Sequence, residues 1–269
     1  MSTNKKAIPV FSQPMIDTHC HLDYLKENSL DVLIERALES NVQYMVTIGV
    51  SPDNQQKVRA LIQHHPMIYG TQGVHPHDAA KLTQDGVDEI CEHIGQNKIV
   101  AVGEIGLDYH YEHSPRAIQR KVFEAQLQLA VDHNKPVVIH TREADEDTRA
   151  ILANFSRDLK KRGVIHSFTS GLALAQFCLD EGYSLGFNGI CTFNKADNVR
   201  EIISYTPIEQ ILLETDAPYL TPVPYRGQEN APFYLPFIAE RIAQIKALPI
   251  EELLTQTYKN SLSVFDFGL

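Results

Sequence analysis

A chain of 269 residues with 43% hydrophobic and 22% charged residues has the make-up of an ordinary globular protein and can bury a sizeable core. Its formal net charge of −10 excludes a protein that coats nucleic acid by general attraction, but not an enzyme that grips one phosphate through bound cations. No apolar run is long enough to span a bilayer, and four scattered cysteines without a C-x-x-C pair point to reduced thiols and a cytoplasmic protein.

Residues 1–13 read as a short arm with no signal-peptide core, ahead of one domain over 14–269. Met15 and Ile16 open a strand on which Asp17, His19 and His21 alternate and so share a face; Cys20, between the histidines, points the other way. A helix with Ser29 as its cap covers 29–40, followed by a strand over 42–48. A helix over 52–65, a strand over 67–73, a helix near 86–95 and a strand over 98–104 come next. Ser114-Pro115 opens a long helix to about Asn134, and Pro136 to His140 is an apolar run suited to a strand buried on both faces. After a helix over 143–155, strands over 163–166, 183–187 and 210–216 alternate with helices, with one or two helices from Ile250 to the end. Eight strand-like runs alternating with helices favour a closed (β/α)8 barrel, the TIM barrel, over an open doubly wound sheet, for which no glycine-rich phosphate loop is present.

Strand ends carry the chemistry. His19 and His21 stand at the first, Glu104 at the fourth, His140 at the fifth, His166 at the sixth and Asp216 at the eighth. In a barrel these C-terminal ends converge on one mouth, where four imidazoles and two carboxylates would be costly without cations to neutralise them. One ion would leave donors over; two divalent ions fit, with Zn²⁺, Mn²⁺ and Mg²⁺ all compatible with the donor types. Singly, each residue also fits a humbler role, such as a hydrogen-bonded strand-end histidine or a turn-forming aspartate.

The ordered set DTHCHLD (17–23), GVHPH (73–77), GEIGLDY (103–109), PVVIHTR (136–142), HSFTSG (166–171), LETDAPYLTP (213–222) and RGQEN (226–230) resembles the TatD family of metal-dependent deoxyribonucleases, within the amidohydrolase-like barrels. The resemblance implies that His19, His21 and Asp216 hold one metal ion, that His140 and His166 hold a second, and that Glu104 bridges them. It implies a hydrolase of phosphodiesters, a 3′-5′ deoxyribonuclease on single-stranded or damaged DNA ends, with no membrane and no obligate protein partner. An esterase, lactonase or deacylase, including one acting on aminoacyl-RNA, is the alternative, because a metal-activated water serves both reactions.

In that reading Asp216 doubles as ligand and proton acceptor, and Glu104 belongs to the catalytic set. His75, at the same mouth, is either a donor to a phosphate oxygen or a turn histidine fixed by Pro76. Arg142 is either a phosphate contact or one half of a surface ion pair with Glu143 or Asp145. Tyr109 and Tyr219 are placed to stack a base or to pack, and Arg226 leans towards bracing its loop. His77 offers less, and His64, His65, His93, His113 and His133 are given no function.

Overall fold

The eight apolar runs form eight parallel strands hydrogen-bonded in chain order: β1 (Met15–Cys20), β2 (Val42–Thr47), β3 (Ile68–Gln72), β4 (Ile99–Asp108), β5 (Val137–Arg142), β6 (Gly163–Ile165), β7 (Ser184–Phe187) and β8 (Ile211–Leu213). This computed structural model describes residues 6–268, so the first five residues of the expected arm and the final leucine lie outside the described residues. Between and after the strands lie α1 (Leu30–Glu39), α2 (Gln55–His64), α3 (Gln84–His93), α4 (Arg116–Asp132), α5 (Asp145–Phe155), α6 (Leu172–Asp180), α7 (Asp197–Tyr205), α8 (Leu235–Lys246) and α9 (Ile250–Val264). The result is a nearly closed (β/α)8 barrel.

Closure between β8 and β1 uses the segment after β8 rather than a full ladder. The backbone N–H of Asp216 donates to the His19 carbonyl (2.8 Å), that of His21 donates to the Ala217 carbonyl (2.7 Å), and Thr18 Oγ1 donates to the Leu213 carbonyl (2.9 Å). This is why β8 stops at Leu213, short of the expected Asp216: Glu214 N–H still donates to the Phe187 carbonyl of β7, and Thr215 and Asp216 then turn to β1. The same stitching fixes Asp216 beside His19.

Two apolar layers form, as a barrel requires. Val46, Ile48, Val100, Val138, Val164 and Leu212 pack in one cluster with Phe265 and Phe267, while the larger cluster lies between strands and helices. Tyr69, near the start of β3, donates from its hydroxyl to the Phe267 carbonyl, so the C-terminal tail closes the end opposite the mouth. At local level, Ser29 precedes α1 but its side chain makes no capping bond, whereas Thr83 caps α3 by accepting from Gly86 N–H. That cap starts α3 at Gln84, ahead of the expected Gly86. The tail from Ile250 is a single helix.

β4 is longer than expected. Its pairing with β3 ends at Val102, its register with β5 shifts between Gly103 and Ile105, and it then continues on β5 alone to Asp108. Glu104 therefore sits in mid-strand, at the irregularity where β3 has run out, and not at a strand end. A Cβ on Gly103 would stand 2.6 Å from Val138 Cβ, and one on Gly73 would stand 2.7 Å from the Gly103 carbonyl carbon. Only glycines allow the backbones to approach this closely around the glutamate. Among the described residues no helix is long and apolar enough to cross a membrane, and all four cysteines are free.

Candidate metal centre

The barrel delivers each expected donor to one place. His19 lies within β1 and His21 just beyond it; Glu104 comes from β4, His140 from β5, His166 follows β6, and Asp216 follows β8 in a left-handed conformation (φ 58°). Glu104 Oε2 is 3.4 Å from His19 Nε2, while Glu104 Oε1 is 3.2 Å from His140 Nδ1 and 3.9 Å from His166 Nε2. Asp216 Oδ1 gathers His21 Nε2 (3.4 Å), His19 Nε2 (3.7 Å) and His166 Nε2 (3.8 Å). The rings of His19 and His166 are stacked, with centroids 3.4 Å apart.

Electrostatics follow from this crowding. Burial alone would raise the Glu104 carboxyl, but His75, His19, His140 and His166 together hold it well below the usual carboxylate range. Asp216 is likewise held low against the effect of burial, chiefly by His21, His166 and His19. Burial and its neighbour His166 lower His19, whereas His166, against its own burial, is pushed up to about 10 by Glu214 and Glu104. The centre thus carries ionised carboxylates beside buried imidazoles.

A divalent cation suits this donor set. Both ring nitrogens of His19 and Nδ1 of His21 are buried without a hydrogen-bond partner. Unpaired buried polar atoms are rare and costly, and a cation would satisfy those that face the carboxylates. Three donor sets each lie within 4.8 Å: His19, His21 and Glu104; His75, Glu104 and His140; His19, His166 and Glu214. The second set differs from the expected grouping by bringing His75, rather than His166, to His140.

His75 is nonetheless the wrong tautomer for a ligand. The backbone N–H of His77 donates to His75 Nδ1 (3.1 Å), so the neutral ring carries its proton on Nε2, which lies 3.6 Å from Glu104 Oε1. Burial lowers the pKa of His75 well below the usual histidine value, which keeps the ring neutral. It presents an N–H donor to the centre.

Behind the donors stand carboxylates that the sequence reading passed over. His140 Nε2 pairs with Asp108 Oδ2 (2.9 Å), which also lies 3.2 Å from His77 Nε2. Despite burial, His140 and His77 hold the Asp108 carboxyl far below its usual range. Glu214 Oε1 lies 3.0 Å from His166 Nδ1 and accepts from Ser167 N–H (2.7 Å) and Asn188 Nδ2 (3.2 Å). Gly186 makes the space, because a Cβ there would stand 2.3 Å from Glu214 Oε2. A carboxylate on the far nitrogen fixes the ring and leaves the near one free to ligate, Nδ1 in His140 and Nε2 in His166. A Glu214→Gln protein is expected to hold metal about 10- to 100-fold more weakly; chelator competition checks this, and wild-type affinity would remove the role.

Other expected residues lie further out. Asp17 shares the face of His19 but is turned to Thr215, whose N–H and hydroxyl donate to it at 2.9 and 2.5 Å; burial pushes its carboxyl up to about 7. Cys20 packs with its thiol towards the Val46 carbonyl, as its alternation implied. The Arg142 guanidinium lies over Tyr111, 4.8 Å from the ring centroid, on the rim of a hollow of about 680 Å³ that it shares with Glu143, Asp145, Glu146 and Asp147. Tyr109 bonds Asp147 (2.5 Å) and has the Arg116 guanidinium over its ring, so it packs. His113 reaches the mouth after all, its ring 4.6 Å from that of His77.

The sequence model of the TatD-related DNases matches residues 16–266. An uncharacterized metal-dependent hydrolase, YabD, of Bacillus subtilis is 36% identical over 252 residues, which span 93% of this chain and 98% of that protein. The 3′-5′ ssDNA/RNA exonuclease TatD of Salmonella typhimurium is 33% identical over 242 residues, 88% of this chain and 92% of its own. The crystal structure of the TatD homologue YjjV of Escherichia coli superposes with a TM-score of 0.89 at 27% identity, covering 94% of this chain and 98% of that one. The chain belongs to the TatD family of metal-dependent hydrolases.

Proposed function

We propose that the protein is a metal-dependent phosphodiesterase that removes nucleotides from the 3′ end of single-stranded DNA. The observation that carries this reading is the division of the Glu104 carboxylate: Oε2 faces His19, and Oε1 faces His140 and His166. A carboxylate with each oxygen turned to a different imidazole set suits a bridge between two ions. His19, His21 and Asp216 would hold one, and His140 with His166 the other. Bound there, the pair would supply Lewis acidity to the phosphoryl oxygens and a water acidic enough to attack at neutral pH.

The protein's own groups do the rest. Asp216 orients the attacking water and takes its proton. His75 offers its Nε2–H to a non-bridging phosphate oxygen, its tautomer set by the His77 backbone. Asp108 and Glu214 hold the far sides of His140 and His166. The Salmonella relative's name supports a single-stranded, 3′-end substrate.

The test is degradation of a single-stranded oligonucleotide labelled near its 5′ end by metal-stripped protein, with Mg²⁺, Mn²⁺ or Zn²⁺ restored in turn. Stepwise shortening from the 3′ end is expected with at least one metal, and none with His140→Ala. Hydrolysis of nitrophenyl acetate with no shortening under any metal would transfer the assignment to ester substrates.

A further inference from the structure

The two sides of the mouth differ in a way that the metal centre does not explain. On the side of β4 and β5, the hollow beneath Arg142 is lined by four carboxylates, Glu143, Asp145, Glu146 and Asp147, against two arginines, Arg142 and Arg116. On the side of β7 and β8, the loops carry exposed aromatic and cationic groups without excess acid. Tyr219 is 52% exposed, and its ring centroid lies 6.0 Å from that of His21, itself in the donor cluster. Further out, the exposed Arg226 lays its guanidinium on Phe193, 3.6 Å from the ring centroid, and makes no ion pair among the described residues. Lys195 follows two residues later, also exposed.

These two loops are fastened into one surface. A Cβ on Gly189 would stand 1.8 Å from the Leu220 carbonyl oxygen, so the loops touch backbone to backbone there. Val223 N–H donates to Thr192 Oγ1 (3.0 Å). Asn230 Nδ2 donates to the carbonyls of Thr215 (2.8 Å) and Tyr219 (2.5 Å), which pins the tyrosine's loop to the segment that carries Asp216. Arg200 donates to the Phe193 carbonyl (2.7 Å) and pairs with Asp197, so the one nearby acid on that loop is neutralised. Glu229 is spent on the backbone N–H groups of Lys26 and Glu27. The loops are fastened to each other at several points, and among the described residues Arg226 and Lys195 are exposed cations with no ion pair.

We infer that this rim is the track for the nucleotides upstream of the scissile phosphate, with Tyr219 stacking a base beside the metal centre and Arg226, held flat on Phe193, receiving a backbone phosphate. The inference rests on the phosphodiesterase reading and gives it a direction: the single strand leaves over β7 and β8, away from the carboxylates beside β5. Aromatic rings interleaved with cations are what single strands bind without regard to sequence. An overall acidic protein needs such a local arrangement to hold a polyanion at all. Arg200 uses its N–H groups on the carbonyls of Cys191, Phe193 and Asn194, whereas among the described residues Arg226 makes no hydrogen bond and keeps its N–H groups for a ligand.

Steady-state hydrolysis of oligothymidylates of two, four and eight nucleotides by the metal-loaded protein tests this. For the unaltered protein, kcat/KM should rise about tenfold from the shortest to the longest, the scale of one base stack or one phosphate contact. Arg226→Ala and Tyr219→Ala should each flatten that rise, Arg226→Lys should restore part of it, and Lys161→Ala at the other end of the barrel should leave it intact. Added salt should depress the eight-nucleotide rate more steeply for the unaltered protein than for Arg226→Ala. If Arg226→Ala lowers short and long substrates equally, or the length dependence survives both rim substitutions, the track is wrong while the nuclease reading stands. If no oligothymidylate is cut with any metal, both fall together.

Discussion

Asp216→Asn is expected to lower kcat on an oligonucleotide by about a thousandfold at saturating metal, within the range general-base catalysis provides. The geometry explains why so much rests on one oxygen. Asp216 Oδ1 is surrounded by His21, His19 and His166, while Oδ2 makes none of these contacts, and the side chain is 13% exposed where that of Glu104 is 4% exposed. Of the two carboxylates it is the one that an incoming water can reach. Its depressed pKa, held down by the histidines against burial, keeps it ionised at neutral pH and able to accept a proton. Asparagine preserves the Oδ1 acceptor and the shape, so the fold and most of the metal content should survive; metal analysis alongside the kinetics separates a lost ligand from a lost base. Full activity at saturating metal would remove the proton-acceptor role.

How much of this was legible in the sequence depended on whether a residue acts through its own place in the chain. His19, His140 and His166 could be read because each lies in the C-terminal half of a short apolar strand or just beyond it, and these ends of a barrel share one mouth. Glu104 was found for a partly mistaken reason. It occupies a break in β4, and the glycines at 73 and 103 that open the space reveal themselves only through β5 and the β3–β4 crossing.

Glu214 was passed over because, in sequence, it is merely one more residue alternating with Asp216. Its partners lie far away in the chain at His166, Ser167 and Asn188. A signal did exist: a carboxylate directly after a short apolar strand, with a glycine, Gly186, in the neighbouring strand. The choice between His75 as a phosphate donor and His75 as a turn residue could not be made from residue types, because it turns on a backbone N–H two residues later. Arg226 was read as bracing its loop from loop chemistry alone; what it touches is Phe193, on a different βα unit.

Glu104→Gln should have the second large effect: loss of one metal ion per protein and a fall in activity of at least about a thousandfold, since a two-metal site clamps both the attacking and leaving oxygens of the displacement. The amide matches the carboxylate in size, so the packing of β4 between β3 and β5, and the 2.7 Å bond from Glu104 N–H to the Gly49 carbonyl, should persist and the melting temperature of metal-free protein should change little. What changes is the charge that His75, His19, His140 and His166 face. An amide presents an acceptor to only one side and must turn its NH₂ group either to His19 or to the set of His140 and His166, where a ligand oxygen is needed. Asp216 with His19 and His21 still offers one carboxylate and two imidazoles, so the ion they hold should be kept, and the ion at His140 and His166 should be the one lost. Counting bound metal at equilibrium, independently of turnover, checks this directly. Two ions per chain in the Glu104→Gln protein would mean that the carboxylate balances the charge of the histidines without joining the metals, and the bridging assignment would have to be given up.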